Sequence, residues 1–166
     1  MVSIRASAVF EWPVQLVWEH VRDFASHLDW IEGGAAVEML KGDGTTVGGV
    51  RRVTLENGIE VDEAITSIDD TTHTLSYRLL SEYPEVFNVT GFIRLTAITA
   101  TNSTFVERDL SVDCALPRKE FDAIIDHRFN LLTTSLQALS EVIRQRIAGG
   151  NAVLERSAES EIAGQA

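Results

Sequence analysis

The sequence predicts an α+β fold in which a seven-stranded antiparallel sheet curls around one long carboxy-terminal helix, with two short helices after the first strand. Three observations support this prediction. Runs of alternating apolar and polar residues recur from the amino terminus to Cys114, and tight turns separate them, as in antiparallel sheets. One apolar stripe at helical spacing follows Pro117. The 166 residues fit one domain, long enough to bury a core without disulfides or metal.

The first strand and the helix after it are clear local patterns. Residues 2–10 alternate, and one side of this strand carries Ile4, Ala6, Ala8 and Phe10. Pro13 then opens a helix at a position where its missing amide is harmless. The apolar residues of that helix recur at helical spacing and are Val14, Val17, Trp18, Val21 and Phe24. Residues 26–34 continue as a second short helix or a turn.

Six further strands follow, and turn residues separate them. They are predicted at about residues 37–40, in the two arms of a hairpin over residues 49–68, and at residues 73–80, 86–100 and 105–114. The loop at residues 81–85 is interpreted as an ordinary strand connection, with a cover for a cavity mouth as the alternative.

The longest helix is predicted from Pro117 to about Ile147, where Gly149-Gly150 would end it. At about 100° per residue, one narrow stripe contains Phe121, Ile125, Phe129, Leu132, Leu136, Leu139 and Ile143. Arg128 lies at the edge of this stripe, and His127 points roughly the opposite way. The domain is therefore predicted to span residues 1–148, and residues 149–166 are predicted to form a disordered tail.

The hairpin at Asn57-Gly58 fixes which charges face each other. A two-residue turn would place Val53 and Leu55 on one face with acidic residues. A three-residue loop with Gly58 in the left-handed position instead pairs Leu55 with Ile59 and keeps one face apolar. In that register Arg51 lies across from Glu63. This pair is either a polar anchor within an apolar pocket or a rim pair that reaches water.

The relative widths of sheet and helix predict an internal space. Seven strands at about 4.8 Å each span roughly 30 Å, whereas one helix is only about 10–12 Å across. A sheet curled around a single helix can therefore enclose an apolar volume that the helix does not fill. A hydrophobic or aromatic small molecule is the predicted occupant.

Composition and motifs argue against several other functions. The formal net charge of −11 disfavours nucleic acid and anionic membrane surfaces as partners. The four histidines are scattered without ligand spacing, so no metal is expected, and the absence of a phosphate loop or dinucleotide fingerprint predicts no cofactor. The amino terminus lacks the pattern of a signal peptide and no apolar run has membrane-spanning length, which predicts a cytoplasmic protein. The expected oligomeric state is a monomer or a homodimer.

The order of these motifs resembles the START-like, helix-grip (SRPBCC) superfamily over about residues 3 to 147. The resemblance begins with the strand, turn and helix at residues 10–24. It continues through Leu28-Asp29-Trp30, Val47-Gly48-Gly49-Val50-Arg51, Glu63, Leu75-Ser76-Tyr77-Arg78 and the final helix. The polyketide cyclase/dehydrase and lipid-transport branch is the most similar. This resemblance implies a seven-stranded sheet gripping a long helix, with a hydrophobic ligand cavity between them, and it implies no particular reaction.

Candidate site residues follow from the predicted cavity faces. Arg51, Glu63 and Tyr77 are the candidate catalytic residues, because arginine and tyrosine donate hydrogen bonds to oxygens and a carboxylate can move a proton. In this hypothesis Arg51 or Arg128 polarises a ketone while Tyr77 or Glu63 moves a proton. The candidate ligand-binding residues are Trp30, Val53, Arg108, Phe121, Ile125, Arg128, Phe129 and Leu132. For Arg108 and Arg128, a solvent-facing side chain is the alternative.

Three functions remain open at this point. A cofactor-independent cyclase, aromatase or dehydratase of secondary metabolism is favoured, because a passive carrier of an apolar ligand gains nothing from a buried charge pair. A non-catalytic carrier or sensor of a lipid-like or polyketide ligand is the first alternative. A partner-binding domain whose cavity is packed shut is the second.

Overall fold

A single antiparallel sheet of seven strands, in the order β1-β7-β6-β5-β4-β3-β2, forms the frame of the computed structural model. The strands are β1 (Val2–Phe10), β2 (Gly34–Lys41), β3 (Val50–Leu55), β4 (Glu60–Asp69), β5 (Thr74–Leu79), β6 (Val86–Ile98) and β7 (Ser103–Cys114). The helices are α1 (Val14–Arg22), a 3₁₀ helix (Phe24–Asp29) and α2 (Arg118–Ala163). The structure describes residues 1–31, 33–81 and 86–163, with the backbone alone at Arg118 and residues 150–163. The predicted α+β fold is confirmed.

The strand bounds match the sequence prediction closely, with β2 beginning at Gly34 rather than at residue 37. Every neighbouring pair in the sheet is antiparallel. The first strand, β1, pairs with β7 at one edge of the sheet, and β2 lies at the other edge. Of the loop predicted at residues 81–85, residues 82–85 lie outside the described residues. Ser81 is described, and its hydroxyl oxygen accepts a hydrogen bond from the Asp62 amide at 3.0 Å.

The hairpin between β3 and β4 has the predicted register. The amide of Leu55 donates to the carbonyl oxygen of Ile59 at 2.8 Å, and Gly58 occupies the left-handed region at φ 81°. This three-residue loop pairs Arg51 with Glu63 and the next residue, Arg52, with Asp62. Because successive side chains on a strand alternate between faces, one arginine–carboxylate pair points inward and the other outward.

The carboxy-terminal helix α2 packs its central apolar stripe against β1 and the 3₁₀ helix. Leu132, Leu136, Leu139 and Ile143 are all buried there, as predicted. The predicted helix stop at Gly149-Gly150 is wrong, since the helix continues to Ala163. Gly149 is solvent-exposed, and a helix tolerates glycine at an exposed position at a cost of about 1 kcal/mol. The assignment of residues 149–166 as a disordered tail stays a prediction, and residues 164–166 lie outside the described residues.

The amino-terminal part of α2 departs from the predicted stripe. Phe129 was expected to face the interior, yet 46% of it is exposed. The residues that line the space beneath the sheet here are Ile124, His127, Arg128, Leu131, Leu132 and Ser135, of which His127 is itself solvent-exposed. At about 100° per residue this face is rotated by roughly a quarter turn from the core stripe. The core stripe contacts β1 directly, whereas this second face lies over open space beneath the sheet.

Candidate functional site

A cavity of about 600 Å³ lies between the inner face of the sheet and the amino-terminal part of α2. Its apolar wall is contributed mainly by strands β3 to β7 and includes Val53, Leu55, Val61, Leu79, Val89 and Leu110. The polar side chains in the same lining are Arg51, Glu63, Tyr77, Arg108, His127, Arg128 and Ser135. A concave, mostly apolar space with a few converging polar groups is typical of a small-molecule site.

Arg51 is fully enclosed, with a side chain only 2% exposed. Its Nε and Nη2 atoms lie 2.8 and 2.6 Å from Glu63 Oε2, and its Nη1 donates to the Phe24 carbonyl oxygen at 2.5 Å. The guanidinium also lies over the Phe24 ring, 3.5 Å from its centroid. The geometry therefore decides against a solvated rim pair, and it leaves Arg51 with its hydrogen bonds directed at protein atoms.

Glu63 is held asymmetrically by this arrangement. Both contacts from Arg51 reach the Oε2 atom, and no residue in the described part of the chain donates to Oε1. The side chain lines the cavity and is mostly buried. One carboxylate oxygen is thus fixed by an ion pair, and the other remains able to accept a hydrogen bond or a proton from a ligand.

Tyr77 lies across the neighbouring strand because that strand carries a glycine. Tyr77 and Gly91 are register partners on β5 and β6. A Cβ atom at Gly91 would come to 2.5 Å from the Tyr77 hydroxyl oxygen and closer still to ring atoms Cζ and Cε1. Real Cβ atoms do not approach other atoms this closely, so only glycine permits this ring position. Gly91 thereby sets where Tyr77 enters the cavity wall.

Three neighbouring aromatic rings connect the two buried arginines. The Phe24 and His27 ring centroids are 5.2 Å apart, and those of His27 and Trp30 are 4.3 Å apart. Arg51 covers the Phe24 end, and the Arg108 guanidinium lies 5.1 Å from the Trp30 ring centroid. All three rings come from the 3₁₀ helix and the residue after it. The Asp23 side chain caps the start of that helix by accepting a hydrogen bond from the Ala25 amide.

His27, the middle one of these three rings, is uncharged. Its Nε2 atom lies 2.7 Å from the Val21 carbonyl oxygen, which can only accept, so Nε2 carries the proton. Burial, followed by the nearby Arg51 charge, holds the pKa of His27 well below its ordinary value of 6.5. In the sequence, His27 is a lone histidine without any motif around it, so this role could not be read from the residues alone.

A lowered His27 pKa predicts a stability change with pH. The unfolded chain takes up a proton near pH 6.5 while the folded chain does not, so the free energy of unfolding falls as pH drops below about 6.5. The expected slope is up to about 1.4 kcal/mol per pH unit. His27→Gln keeps a donor for Val21 and should lose this slope. Urea unfolding of both proteins between pH 7.5 and 5.5 checks it, and parallel curves would contradict the prediction.

Several predicted site residues therefore lie at the cavity and others do not. Arg51, Glu63, Tyr77, Val53, Arg108, Arg128 and Leu132 line it. Trp30 is buried next to Arg108 without lining the cavity, and Phe121 and Ile125 pack partly buried against the core. The placement of Phe129 in the cavity is wrong. His127 is solvent-exposed, in line with its predicted outward placement, and it also borders the cavity. The missed face of α2 has its own signal, because residues 124, 128, 131 and 135 recur at helical spacing.

The described residues contain no cluster of histidine, cysteine or carboxylate side chains that could hold a metal ion. Within the same residues, no helix is both long and apolar enough to cross a membrane.

A curled antiparallel sheet that holds a long helix over a cavity defines the helix-grip class of protein. The family model described as polyketide cyclase/dehydrase and lipid transport matches residues 1–144, and the chain belongs to this family.

Solved structures share the same fold at low sequence identity. A protein from Nitrosospira multiformis is 21% identical, with 84% of this chain and 94% of that chain covered and a TM-score of 0.68. An uncharacterised protein from Bacillus thuringiensis is 19% identical, with coverage of 86% and 98% and a TM-score of 0.72. A protein from Thermobifida fusca is 21% identical, with coverage of 87% and 95% and a TM-score of 0.71.

Proposed function

We propose that this protein binds a hydrophobic or aromatic small molecule in its cavity and acts on it as a cofactor-independent cyclase or dehydratase. The observation that carries the proposal is that Glu63 lines an apolar cavity with its Oε2 atom held by Arg51, while no described residue donates to its Oε1 atom. A carboxylate fixed in this way is oriented for proton transfer. Arg51 acts through Glu63 and is a positioning residue in this scheme.

The proposed reaction is an intramolecular aldol closure followed by loss of water. Glu63 removes a proton from a methylene group between two carbonyls, and the resulting enolate carbon bonds to another carbonyl carbon of the same molecule. The alkoxide that forms takes the proton back from Glu63. Glu63 then removes the remaining proton of the former methylene carbon and delivers it to the departing hydroxyl. Water leaves, and a carbon–carbon double bond forms. Tyr77 and Arg128 stabilise the developing negative charge as hydrogen-bond donors.

The apolar wall and the cavity volume favour a second candidate, a non-catalytic carrier or sensor of a lipid-like or polyketide ligand. The two functions differ in what leaves the cavity. An enzyme releases an altered molecule, whereas a carrier releases the molecule that it bound.

Native mass spectrometry of protein purified from its own host identifies any bound compound, which is then incubated with the protein and analysed for products. Glu63→Gln should lower the rate of turnover by about 10²-fold or more while the compound still binds. Asp62→Asn is the matched control, because Asp62 directly precedes Glu63 on β4 and pairs with Arg52 on the outer face. Full turnover by Glu63→Gln would exclude Glu63 as the base, and binding without any turnover by the unmodified protein would favour the carrier.

A further inference from the structure

Arg108 is a buried cation that lacks an acceptor. The residue is 8% exposed and lines the cavity from β7. Within the described part of the chain, its Nη1 atom is shielded from solvent and has no hydrogen-bond acceptor. Buried polar groups in folded proteins nearly always have a partner, so an unpartnered guanidinium indicates that a partner is supplied from elsewhere.

Trp30 packs beside this guanidinium, with its ring centroid 5.1 Å from the Arg108 Cζ atom. The indole offers a ring face but no hydrogen-bond acceptor. Because a guanidinium can only donate, the group that completes the hydrogen bonding of Arg108 must be an acceptor.

The charge balance of the cavity shows what kind of acceptor fits. The positive charge of Arg51 is matched by Glu63, at 2.6 Å. The ring between the two arginines, His27, is neutral, so Arg108 has no counter-charge among the described residues, and Arg128 adds a further arginine to the lining. The Arg108 cation lies inside a chain whose formal net charge is −11. An anionic oxygen group would both neutralise Arg108 and accept its hydrogen bonds.

We propose that Arg108 binds an anionic oxygen group of the ligand, such as a carboxylate or an enolate. The ligand is therefore an amphipathic acid, with its apolar body against the sheet and its anionic end at β7. This inference rests on the proposed binding function and names the chemical class of the ligand.

Two fluorescent probes of the same shape test this inference. Anilinonaphthalene sulfonate carries one anionic oxygen group, and phenylnaphthylamine is the same ring system without it. Arg108→Met should weaken binding of the sulfonate by at least about tenfold and binding of the neutral amine by less than about twofold. Arg78→Met is the matched control, since it removes the same charge from an exposed position on the outer face of β5. This control should change neither affinity.

The melting temperature of ligand-free Arg108→Met should equal or exceed that of the unmodified protein, because the substitution removes an unpaired buried charge. Equal weakening of both probes, or of neither, would overturn the inference and leave cavity binding intact. Failure of both probes to bind the unmodified protein would instead contradict the proposed function.

A measurement on the unmodified protein keeps the inference testable if Arg108→Met does not fold. The sulfonate probe should bind the unmodified protein at least about tenfold more tightly than the neutral amine, because only the sulfonate pairs with Arg108. Equal affinities of the two probes, or tighter binding of the amine, would overturn the inference.

Discussion

Replacing Arg51 with methionine should lower the free energy of unfolding by about 3–5 kcal/mol, because it leaves the buried Glu63 carboxylate without its counter-charge. The same substitution removes the hydrogen bond to the Phe24 carbonyl oxygen and the guanidinium over the Phe24 ring. Methionine fills much of the vacated volume, so the loss reports mainly on charge and hydrogen bonding. Urea unfolding at pH 7 measures it.

The adjacent pair on the outer face provides a matched control. Arg52 and Asp62 belong to the same two strands and make two hydrogen bonds at 2.7 and 2.9 Å. Their side chains are 36% and 26% exposed, and exposed pairs contribute about 0–1 kcal/mol. Arg52→Met should therefore cost about 1 kcal/mol or less.

The double substitution Arg51→Met with Glu63→Leu should regain much of the loss, because an apolar pair replaces an ion pair without leaving an isolated charge. A loss at Arg51 no larger than that at Arg52 would show that the inner pair does not contribute to stability. Additive losses in the double variant would show that the two side chains are energetically independent.

Replacing Gly91 with alanine should cost about 3 kcal/mol and abolish binding of the neutral probe phenylnaphthylamine. The added methyl group would overlap the Tyr77 ring, which must then move toward the cavity that it lines. Thermal unfolding measures the first effect and probe fluorescence measures the second.

Gly149→Ala is the control for the general effect of adding a methyl group. A Cβ at this position of α2 meets no atom within 4 Å. It should leave binding unchanged and stabilise the protein by up to about 1 kcal/mol, as expected for alanine in a helix. If steric overlap with Tyr77 is the cause, Tyr77→Ala should make Gly91→Ala nearly harmless. An equal cost of Gly91→Ala with and without the tyrosine ring would refute this explanation.

The pairing of Arg51 with Glu63 was predictable from the sequence because strand register is a local property. Gly58 and the alternation of apolar residues on either side of it allow one register that keeps an apolar face. The seven strands were likewise marked by alternation and turns, and the family resemblance covered nearly the same residues as the family model.

The cavity face of α2 could not be predicted in the same way. The strongest apolar stripe on the helix identifies the face that packs on β1. The helical spacing of residues 124, 128, 131 and 135 does not by itself show that this second face lies over open space. Phe129 was therefore assigned inward, and this placement was wrong, whereas His127 is exposed as predicted and also borders the cavity. The curl of the sheet decides which helix face covers the cavity, and that curl depends on all seven strands.

The sequence by itself determined the fold class, the strand register and the presence of arginine and carboxylate side chains on an apolar face. Only the tertiary structure decided that Arg51 is enclosed and also donates to Phe24, and that Arg108 Nη1 has no acceptor among the described residues. Both arginines lie on inward strand faces, and this difference arises from elements distant in sequence. The Phe24 carbonyl oxygen reaches the first, whereas the Trp30 ring packs beside the second. Alternation along a strand places a charge on a face, but the packing of other elements on that face determines whether the charge is neutralised.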